Sequence, residues 1–515
     1  MTPEEEQEAV VAFLSDPATH GGAPVRRIET HLSHLFLAGD RAWKLKKAVR
    51  FPFVDFTPLV ARQAACETEL RVNRRTAPSL YLGVVPVTRS GAGFALGGVG
   101  AVVEPLVEMR RFPDGALFSE LAGAGQLERR HLRDLADRVA AMHLSTPPIL
   151  PGDIPRPLSV TAANVAREIT DLAAAHAPGL TQDARQTGAA IEGAIRACSG
   201  RLAARARRGT VREGHGDLHL ANVCLVEGQA TPFDAIEFDP AIRIIDTLYD
   251  VAFTVADLAA GPMAAEVPVF LGRYLSATRD YRCADLLAPM AALRAGVRAL
   301  VALASPGGGR AEEAVARLTQ ASAFLAPPPP PRVIAIGGRS GTGKSTLAAA
   351  LAPGLAPPPW AVILRSDEIR KRLAGVAPET ALPSTAYTQA SSDAVYRRMM
   401  RDAARALSAG LSVVLDAAFL KPTERAAAAD LAAAAGAGFH GFWLQAPEEV
   451  LTARITARAA APGGDASDAT SAVMLGQIDD GGTGWCTLQT AGDVAAVARA
   501  ARARIAEGCA AGSRA

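Results

Sequence analysis

Val333-Ile-Ala-Ile-Gly-Gly-Arg-Ser-Gly-Thr-Gly-Lys-Ser-Thr-Leu-Ala-Ala-Ala-Leu351 decides how the C-terminal part of the chain folds. Val333 to Ile336 is a short apolar, largely β-branched run of the kind that forms a buried strand. Gly338 to Ser345 then matches G-x-x-x-x-G-K-[ST], and a helix-forming run begins at Thr346. A glycine loop between a strand and a helix lets backbone N–H groups and a helix N-terminus surround phosphate oxygens. Gly338, Arg339, Ser340, Gly341, Thr342, Gly343, Lys344, Ser345 and Thr346 are therefore candidate nucleotide contacts, with Lys344 reaching the β/γ-phosphates. The hydroxyl of Ser345 is a candidate magnesium ligand.

Three downstream segments extend this reading. Val413-Val-Leu-Asp416 is a second short strand ending in a carboxylate, and Asp416 is the expected second magnesium contact. No N-K-x-D segment for reading guanine occurs, which favours ATP over GTP. Leu364-Arg-Ser-Asp-Glu-Ile-Arg370 follows a strand-like run at Trp360–Leu364 and sets Asp367 and Arg370 one helical turn apart. An aspartate there can orient an acceptor hydroxyl, and an arginine can hold an anionic acceptor; the competing reading is an N-capping aspartate beside a solvated arginine. Together these residues resemble P-loop small-molecule kinases and zeta-toxin-like kinases. The resemblance implies that Asp367 contacts the acceptor hydroxyl, and that Arg454 and Arg458 belong to a phosphate-covering lid. Arg425 reads as a surface arginine, with a further anion contact as the alternative, and Asp465-Ala-Ser-Asp468 receives no role.

Upstream, Pro327–Pro331 cannot continue a helix and reads as a semi-rigid linker. Before it, residues 31–107 are strand-rich. A turn at Ala38–Arg41 pairs His34–Leu37 with Trp43–Lys46, so Trp43 and Leu45 face one way while Lys44 and Lys46 face the other. A helix is expected over Ala61–Arg75, strands at Gly83–Val87 and Ala101–Val107, and helices from Ser119 onward. Short strands near Val223–Leu225 and Pro232–Ile236 interrupt the helical pattern.

Gly214-His-Gly-Asp-Leu-His-Leu-Ala-Asn222 is the chemical centre of this first part. Phosphoryl transfer from ATP needs a carboxylate for the acceptor hydroxyl and oxygen ligands for magnesium. Asp217 and Asn222 supply that pair on one loop, and Asp234, in Phe233-Asp-Ala-Ile-Glu-Phe238, supplies a further metal-holding carboxylate.

This part, over roughly residues 25–300, resembles the aminoglycoside phosphotransferase family, the small-molecule branch of the protein-kinase-like fold. The resemblance implies that Asp217 is the catalytic base and that Asn222 and Asp234 bind magnesium. Lys44 would hold the α/β-phosphates, with Lys46 on the same face as the alternative. Glu69 would be its partner, with Glu67 the alternative. Val102-Val-Glu104-Pro-Leu resembles the hinge whose backbone meets adenine, which makes Glu104 an expected ATP contact. Asp246 and Asp250 resemble structural aspartates behind the catalytic loop. The glycine-rich loop of protein kinases is absent ahead of Lys44.

Composition bounds the function classes. The chain has 515 residues, enough for two or three domains, and 49% hydrophobic against 21% charged residues fits a globular protein. Its 54 basic and 52 acidic side chains leave a net charge of +2, no footprint for nucleic acid or an anionic membrane. Six scattered cysteines form no C-x-x-C pair, which fits a reducing compartment. The acidic N-terminus lacks a signal-peptide pattern, and no uninterrupted apolar run reaches the roughly 18 residues of a bilayer span. Only six of the basic residues are lysine (Lys44, Lys46, Lys47, Lys344, Lys371 and Lys421), an enrichment for places that need a compact ammonium; three sit in one strand-like segment and one in the glycine loop.

Trp43-Lys-Leu-Lys-Lys47, Arg50-Phe-Pro-Phe-Val-Asp-Phe56, Gly214–Asn222 and Arg365-Ser-Asp367 together resemble bifunctional aminoglycoside phosphotransferase/ATP-binding proteins. The expected organisation is a helical segment at 1–24, then an α+β protein-kinase-like bilobal domain at 25–326 with its small lobe at about 25–110 and helical lobe at about 111–326. The linker at 327–331 leads to an α/β P-loop domain with a parallel sheet at 332–515. The expected activity is a cytoplasmic, ATP- and Mg2+-dependent phosphotransferase with two nucleotide sites, acting on hydroxylated small molecules, with no nucleic-acid or membrane partner. The alternative makes the C-terminal domain an ATPase switch or a toxin-like nucleotide-sugar kinase. The family name does not specify an antibiotic acceptor, because this fold serves many hydroxylated metabolites.

Overall fold

The computed structural model describes residues 3–51, 54–91, 93–305, 310–460, 466–478, 481–482 and 484–511. Pro52 and Phe53 of the Arg50–Phe56 segment, and Asp465, lie outside the described residues. The chain forms two compact units. One comprises Met1–Leu127, Ala141–Ala163 and Arg196–Thr254; the other comprises Glu128–Ala140, Asn164–Ile195 and Val255–Ala515.

The chain opens with helix α1 (Pro3–Ser15) and strands β1 (Val25–Glu29), β2 (Ser33–Ala38) and β3 (Arg41–Lys46). After the short hairpin β4 (Arg50–Phe51) and β5 (Val54–Asp55) come α2 (Leu59–Asn73), β6 (Tyr81–Ser90), β7 (Gly93–Leu96) and β8 (Val102–Arg110). Six strands form an antiparallel sheet in the order β1-β2-β3-β8-β6-β7. Alternation along β3 divides its side chains as expected. Trp43 and Leu45 join Phe36, Val87 and Leu106 in a core closed by Val10 and Leu14 of α1. Lys44 and Lys46 point to the opposite face, where α2 packs.

Helices α3 (Phe118–Gly123), α4 (Arg129–Ser145), α5 (Leu158–His176), α6 (Thr181–Ala197) and α7 (Ser199–Arg207) follow. The short strands β9 (Val211–Glu213), β10 (Val223–Val226), β11 (Gln229–Pro232) and β12 (Ile244–Asp246) come next, with the one-turn helix α8 (Pro240–Arg243) between the last two. A sheet followed by helices is the protein-kinase-like α+β plan expected of this part. The strand expected to run to Ile236 ends at Pro232, because Asp234 adopts a φ of 62°, which extended backbone excludes.

Helices α9 (Thr247–Ala260), α10 (Val267–Thr278), α11 (Leu287–Leu303) and α12 (Ala311–Leu325) precede the proline run. Tyr281–Leu303 is long and apolar enough by composition to cross a membrane, yet its most apolar window is 72% buried, as in a core helix. The remaining chain alternates strand and helix: β13 (Arg332–Gly337), α13 (Lys344–Leu351), β14 (Ala361–Arg365), α14 (Ser366–Leu373), α15 (Gln389–Ser408), β15 (Ser412–Asp416), α16 (Pro422–Ala434), β16 (Gly438–Gln445), α17 (Glu448–Ala460), α18 (Ser471–Leu475), β17 (Cys486–Gln489) and α19 (Val494–Ala511). Its strands form a parallel sheet in the order β14-β15-β13-β16-β17, the α/β plan expected of a P-loop domain. Successive β13 and β14 sit on either side of β15, and Ile336 is in register with Asp416. The phosphate-type loop therefore leaves β13 beside the carboxylate that ends β15, at the carboxyl edge where ligands of open α/β sheets bind.

Helix α10 lies against the edge strand β14, and glycine makes the approach possible. A Cβ on Gly272 would stand 2.6 Å from the carbonyl oxygen of Ile363 and 3.1 Å from its nitrogen. Backbone cannot give way there as a side-chain end could. Gly272→Val should cost about 1–3 kcal/mol in denaturant unfolding monitored on the full chain. Gly193→Ala, on α6 with no atom within 4 Å of the added methyl, should stabilise by about 0.5–1 kcal/mol. A neutral Gly272→Val would refute the close-packing argument.

Candidate active sites

The first site assembles around two lysines. Lys44 Nζ donates to Glu69 Oε1 at 2.9 Å and to Asp234 Oδ1 at 2.5 Å. Lys46 Nζ donates to the other oxygen of Glu69 and to Glu237. Glu69 is fully buried, and both lysines are buried with it. Glu67, two residues earlier on α2, faces out and bonds Gln63 instead, so the helix phase selects Glu69. Burial opposes the charge on Lys44, but Asp234 and Glu69 outweigh it and hold its pKa well above the ordinary value. Burial likewise opposes ionisation of Asp234, and Lys44 reverses that and lowers its pKa.

Asp234 is held by its own backbone. Its N–H donates to the Tyr81 hydroxyl at 3.1 Å, and the next N–H, of Ala235, donates to Asn73 Oδ1 at 2.8 Å. The loop carrying Asp217 is fixed from behind by Asp250. Its oxygens accept from His215 N at 2.7 Å and Gly216 N at 3.0 Å, with His143 Nε2 3.1 Å away. Burial raises the Asp250 pKa, but His143 and His215 overcome it and leave the group well below the carboxylate range. Gly214 is obligatory, since a Cβ would come within 2.5 Å of Asp250 Oδ2. Asp246 accepts Arg205 Nε and Nη2, each at 2.8 Å. Asp250 thus supports the loop from behind, while Asp246 ties α7 to the end of β12.

Asn222 Nδ2 donates to Asp217 Oδ2 at 2.8 Å and to the Asp217 carbonyl at 3.0 Å. With its nitrogen so used, the amide presents its oxygen elsewhere, as a hard cation requires. The structure therefore gathers Lys44, Glu69, Asp217, Asn222 and Asp234 in one unit. Glu104 lies near the start of β8, paired with Val87, and its carboxylate accepts Arg62 Nη2 at 2.7 Å, Arg62 Nε at 2.8 Å and Gln7 Nε2 at 2.8 Å. At 2% exposure its side chain ties α1 and α2 to the sheet, so the part of it that the hinge resemblance assigns to adenine is the backbone. Sequence reading missed Glu237 and Gln7; for Glu237 the signal was the second lysine on one strand face, which needs its own carboxylate.

The second site surrounds a cavity of about 910 Å³ lined by Lys344, Ser345, Asp367, Arg370, Asp416 and Arg454, among others. Gly338, Gly341 and Gly343 take φ of 134°, 84° and 90°, and the first turn of α13, whose N–H groups have no acceptor within the helix, lines the cavity. Lys344 Nζ donates to the carbonyls of Gly338 at 2.9 Å and Arg339 at 3.0 Å. Ser345 Oγ donates to Asp416 Oδ2 at 2.6 Å. A hydroxyl beside a carboxylate, both oxygen donors at the rim of a phosphate-shaped loop, fits magnesium and a nucleotide triphosphate. Thr346 and Ser340 line the same cavity, and Arg339 anchors the loop by donating to the Met474 carbonyl at 2.8 Å.

Asp367 lines this cavity, and burial raises its pKa. Arg370 lies 4.9 Å from the Tyr387 ring centroid and donates to Ser391 Oγ at 3.0 Å and Ser392 Oγ at 3.4 Å. Its buried Nε has no hydrogen-bond partner among the described residues. Arg454 donates to the Thr490 carbonyl at 2.6 Å, and Arg458 to the Ala469 carbonyl at 2.9 Å. Arg425 is a correction: it is 4% exposed, donates to the Phe419 carbonyl at 2.9 Å and sits 5.6 Å from the Trp443 ring centroid. Asp468 acquires a role, joining Lys371, the Tyr387 hydroxyl and the Leu382 N–H. Lys371 is fully buried.

The family model described as AAA domain matches residues 333–480. Proteins of Mycobacterium tuberculosis and Mycobacterium bovis, each described as uncharacterized, are 31% identical over 453 residues, covering 86% of this chain and 88% of theirs. Among solved structures, a choline/ethanolamine kinase family protein from Mesorhizobium loti aligns with 62% of this chain and 95% of its own at 13% identity and a TM-score of 0.36. The Mycobacterium tuberculosis APS kinase aligns with 34% of this chain and 96% of its own at 20% identity and a TM-score of 0.24.

Glu213, next to Gly214, yields a pH test of the first site. Hydrogen bonds from Arg71, at 2.8 and 2.9 Å, and from Arg243 at 2.9 Å lower its pKa from 4.5 to about 2. A carboxylate lowered on folding contributes stability above its unfolded pKa and loses it as pH falls through the folded one. Glu213→Gln should therefore destabilise the protein at pH 7, with the difference shrinking below pH 4.5 and closing near pH 2 in urea titrations. A pH-independent difference would contradict the clamp.

Proposed function

This chain belongs to the same family as the mycobacterial proteins, and from that premise we propose a fusion of an aminoglycoside-phosphotransferase-like kinase domain with a C-terminal P-loop domain, acting as an ATP- and Mg2+-dependent phosphotransferase with two nucleotide sites. One observation carries the reading. Each half holds a lysine for phosphates, oxygen ligands for a metal, and a further aspartate for an acceptor hydroxyl. These are Lys44, Asn222 with Asp234, and Asp217 in the first, and Lys344, Ser345 with Asp416, and Asp367 in the second.

In the first site Asp217 orients a small-molecule hydroxyl and accepts its proton, while Asn222 fixes the carboxylate. Lys44 turns from Asp234 toward phosphate oxygens and keeps Glu69 as its partner. Asn222 and Asp234 hold the metal. In the second site the α13 N-terminus and Lys344 take the phosphates, Ser345 and Asp416 take the metal, and Asp367 receives the acceptor hydroxyl. Arg370, stacked on Tyr387 with a free Nε direction, suits an anionic acceptor. Magnesium, when bound, neutralises charge on the transferring phosphoryl group.

The test is transfer of the γ-phosphate of ATP into a small-molecule extract by wild type, Asp217→Asn and Lys344→Ala. Each variant should lose a different labelled product by about a hundredfold or more. ATP loss that depends on Lys344 without any labelled product would replace the second kinase with an ATPase switch.

A further inference from the structure

Arg365, the last residue of β14, lies on the two oxygens assigned to the P-loop metal. Its Nη2 donates to Ser345 Oγ at 3.0 Å, and its Nε donates to Asp416 Oδ2 at 3.2 Å. Its Nη1 turns the other way, to Glu368 Oε1 at 3.3 Å, one turn along α14. Glu368 is itself shared: Arg273 Nη1, from α10, stands 3.1 Å from the same oxygen. Arg273 is anchored by Asp137, at 2.6 to 3.0 Å, and by Glu379 at 2.7 Å. Asp137 also accepts Arg372 Nη2 at 2.7 Å. Arg273, Arg365, Glu368 and Asp416 are all less than 9% exposed, so water screens none of these charges well.

We infer that Arg365 is a tethered cation that competes with magnesium for Ser345 and Asp416, and that Arg273 sets the strength of that competition through Glu368. The inference rests on the P-loop reading above. A guanidinium and a divalent ion cannot both use Asp416 Oδ2 in a buried site, because like charges a few ångströms apart repel strongly there. Metal entry therefore requires Arg365 to release both oxygens and lean on Glu368. Glu368 draws Arg365 off the site, and Arg273 weakens that pull by occupying the same carboxylate. Arg273 is thus a positioning residue for metal binding, supplied by a helix that precedes the proline run.

The full-length protein tests this with a fluorescent ATP analogue titrated with Mg2+, taking the component lost in Lys344→Ala. Arg273→Gln should lower the half-saturating Mg2+ concentration about fivefold, and Glu368→Gln should raise it by a similar factor. Long-range charge alone predicts the same signs, so the deciding arm is the double-mutant cycle. Once Arg365→Gln has removed the competitor, the Arg273 and Glu368 substitutions should each change the midpoint by less than about twofold. Effects that persist undiminished in the Arg365→Gln background overturn the inference. So do unchanged midpoints in every single variant while wild type titrates normally. Loss of any Lys344-dependent signal in wild type overturns the P-loop reading itself. Arg365→Lys retains a cation with less reach and should fall between wild type and Arg365→Gln, and it serves as the background if Arg365→Gln does not fold.

Discussion

Glu69 accepts two buried ammonium groups at once, and the N-terminal sheet is arranged so that it can. Taking a lysine charge out of water costs several kcal/mol unless carboxylates meet it with good geometry. Lys44 and Lys46 satisfy that condition only if α2 docks on their face of β3 and the segment after β11 turns back to present Asp234 and Glu237. The turn needs the left-handed backbone at Asp234, and Tyr81 and Asn73 hold that backbone in place. Position of helix, strand and loop thus follow from one charge set. Three carboxylates face two ammonium groups there, and burial raises the pKa of Glu237 among them.

The same rule governs the C-terminal half with a different cation. Lysine is scarce, and arginine fills most buried positive positions: Arg365 on Asp416, Arg425 against Trp443, Arg273 among Asp137, Glu368 and Glu379. A guanidinium serves several oxygens in fixed, coplanar directions, whereas an ammonium is a compact point charge with three rotatable donors. Lys371 is the exception, enclosed by Asp468 and the Thr380 carbonyl where a compact group fits.

Much of this was legible from spacing. Alternation on β3 put Lys44 and Lys46 on one face, and the five-residue step from Asp217 to Asn222 put both on one loop. The strand, glycine loop and helix around Lys344 were readable because a local mechanism needs them contiguous. What escaped depends on distant partners. The carboxylate of Glu104, in the hinge-like segment, is fixed inside the sheet by Arg62, 42 positions away, and Gln7, 97 positions away. Arg425 looked like surface because nothing local shows the Trp443 ring. The choice of Glu69 over Glu67 required the rotational phase of α2, which short sequence windows leave open.

The packing of α10 on β14 also bears on how the chain folds as it is made. All segments of the first unit have been synthesised once the ribosome passes Thr254, about half the chain. Segments 128–140 and 164–195 of the second unit emerge far earlier than the strands they share a unit with. The α10 face around Gly272 must wait for β14, some ninety residues later, which is several seconds at roughly 5–20 residues per second. Contacts of such sequence separation form slowly and leave apolar surface uncovered meanwhile. The run of prolines lies inside that interval, and its stiffness limits the conformations the waiting chain must search before the sheet can close against the helix.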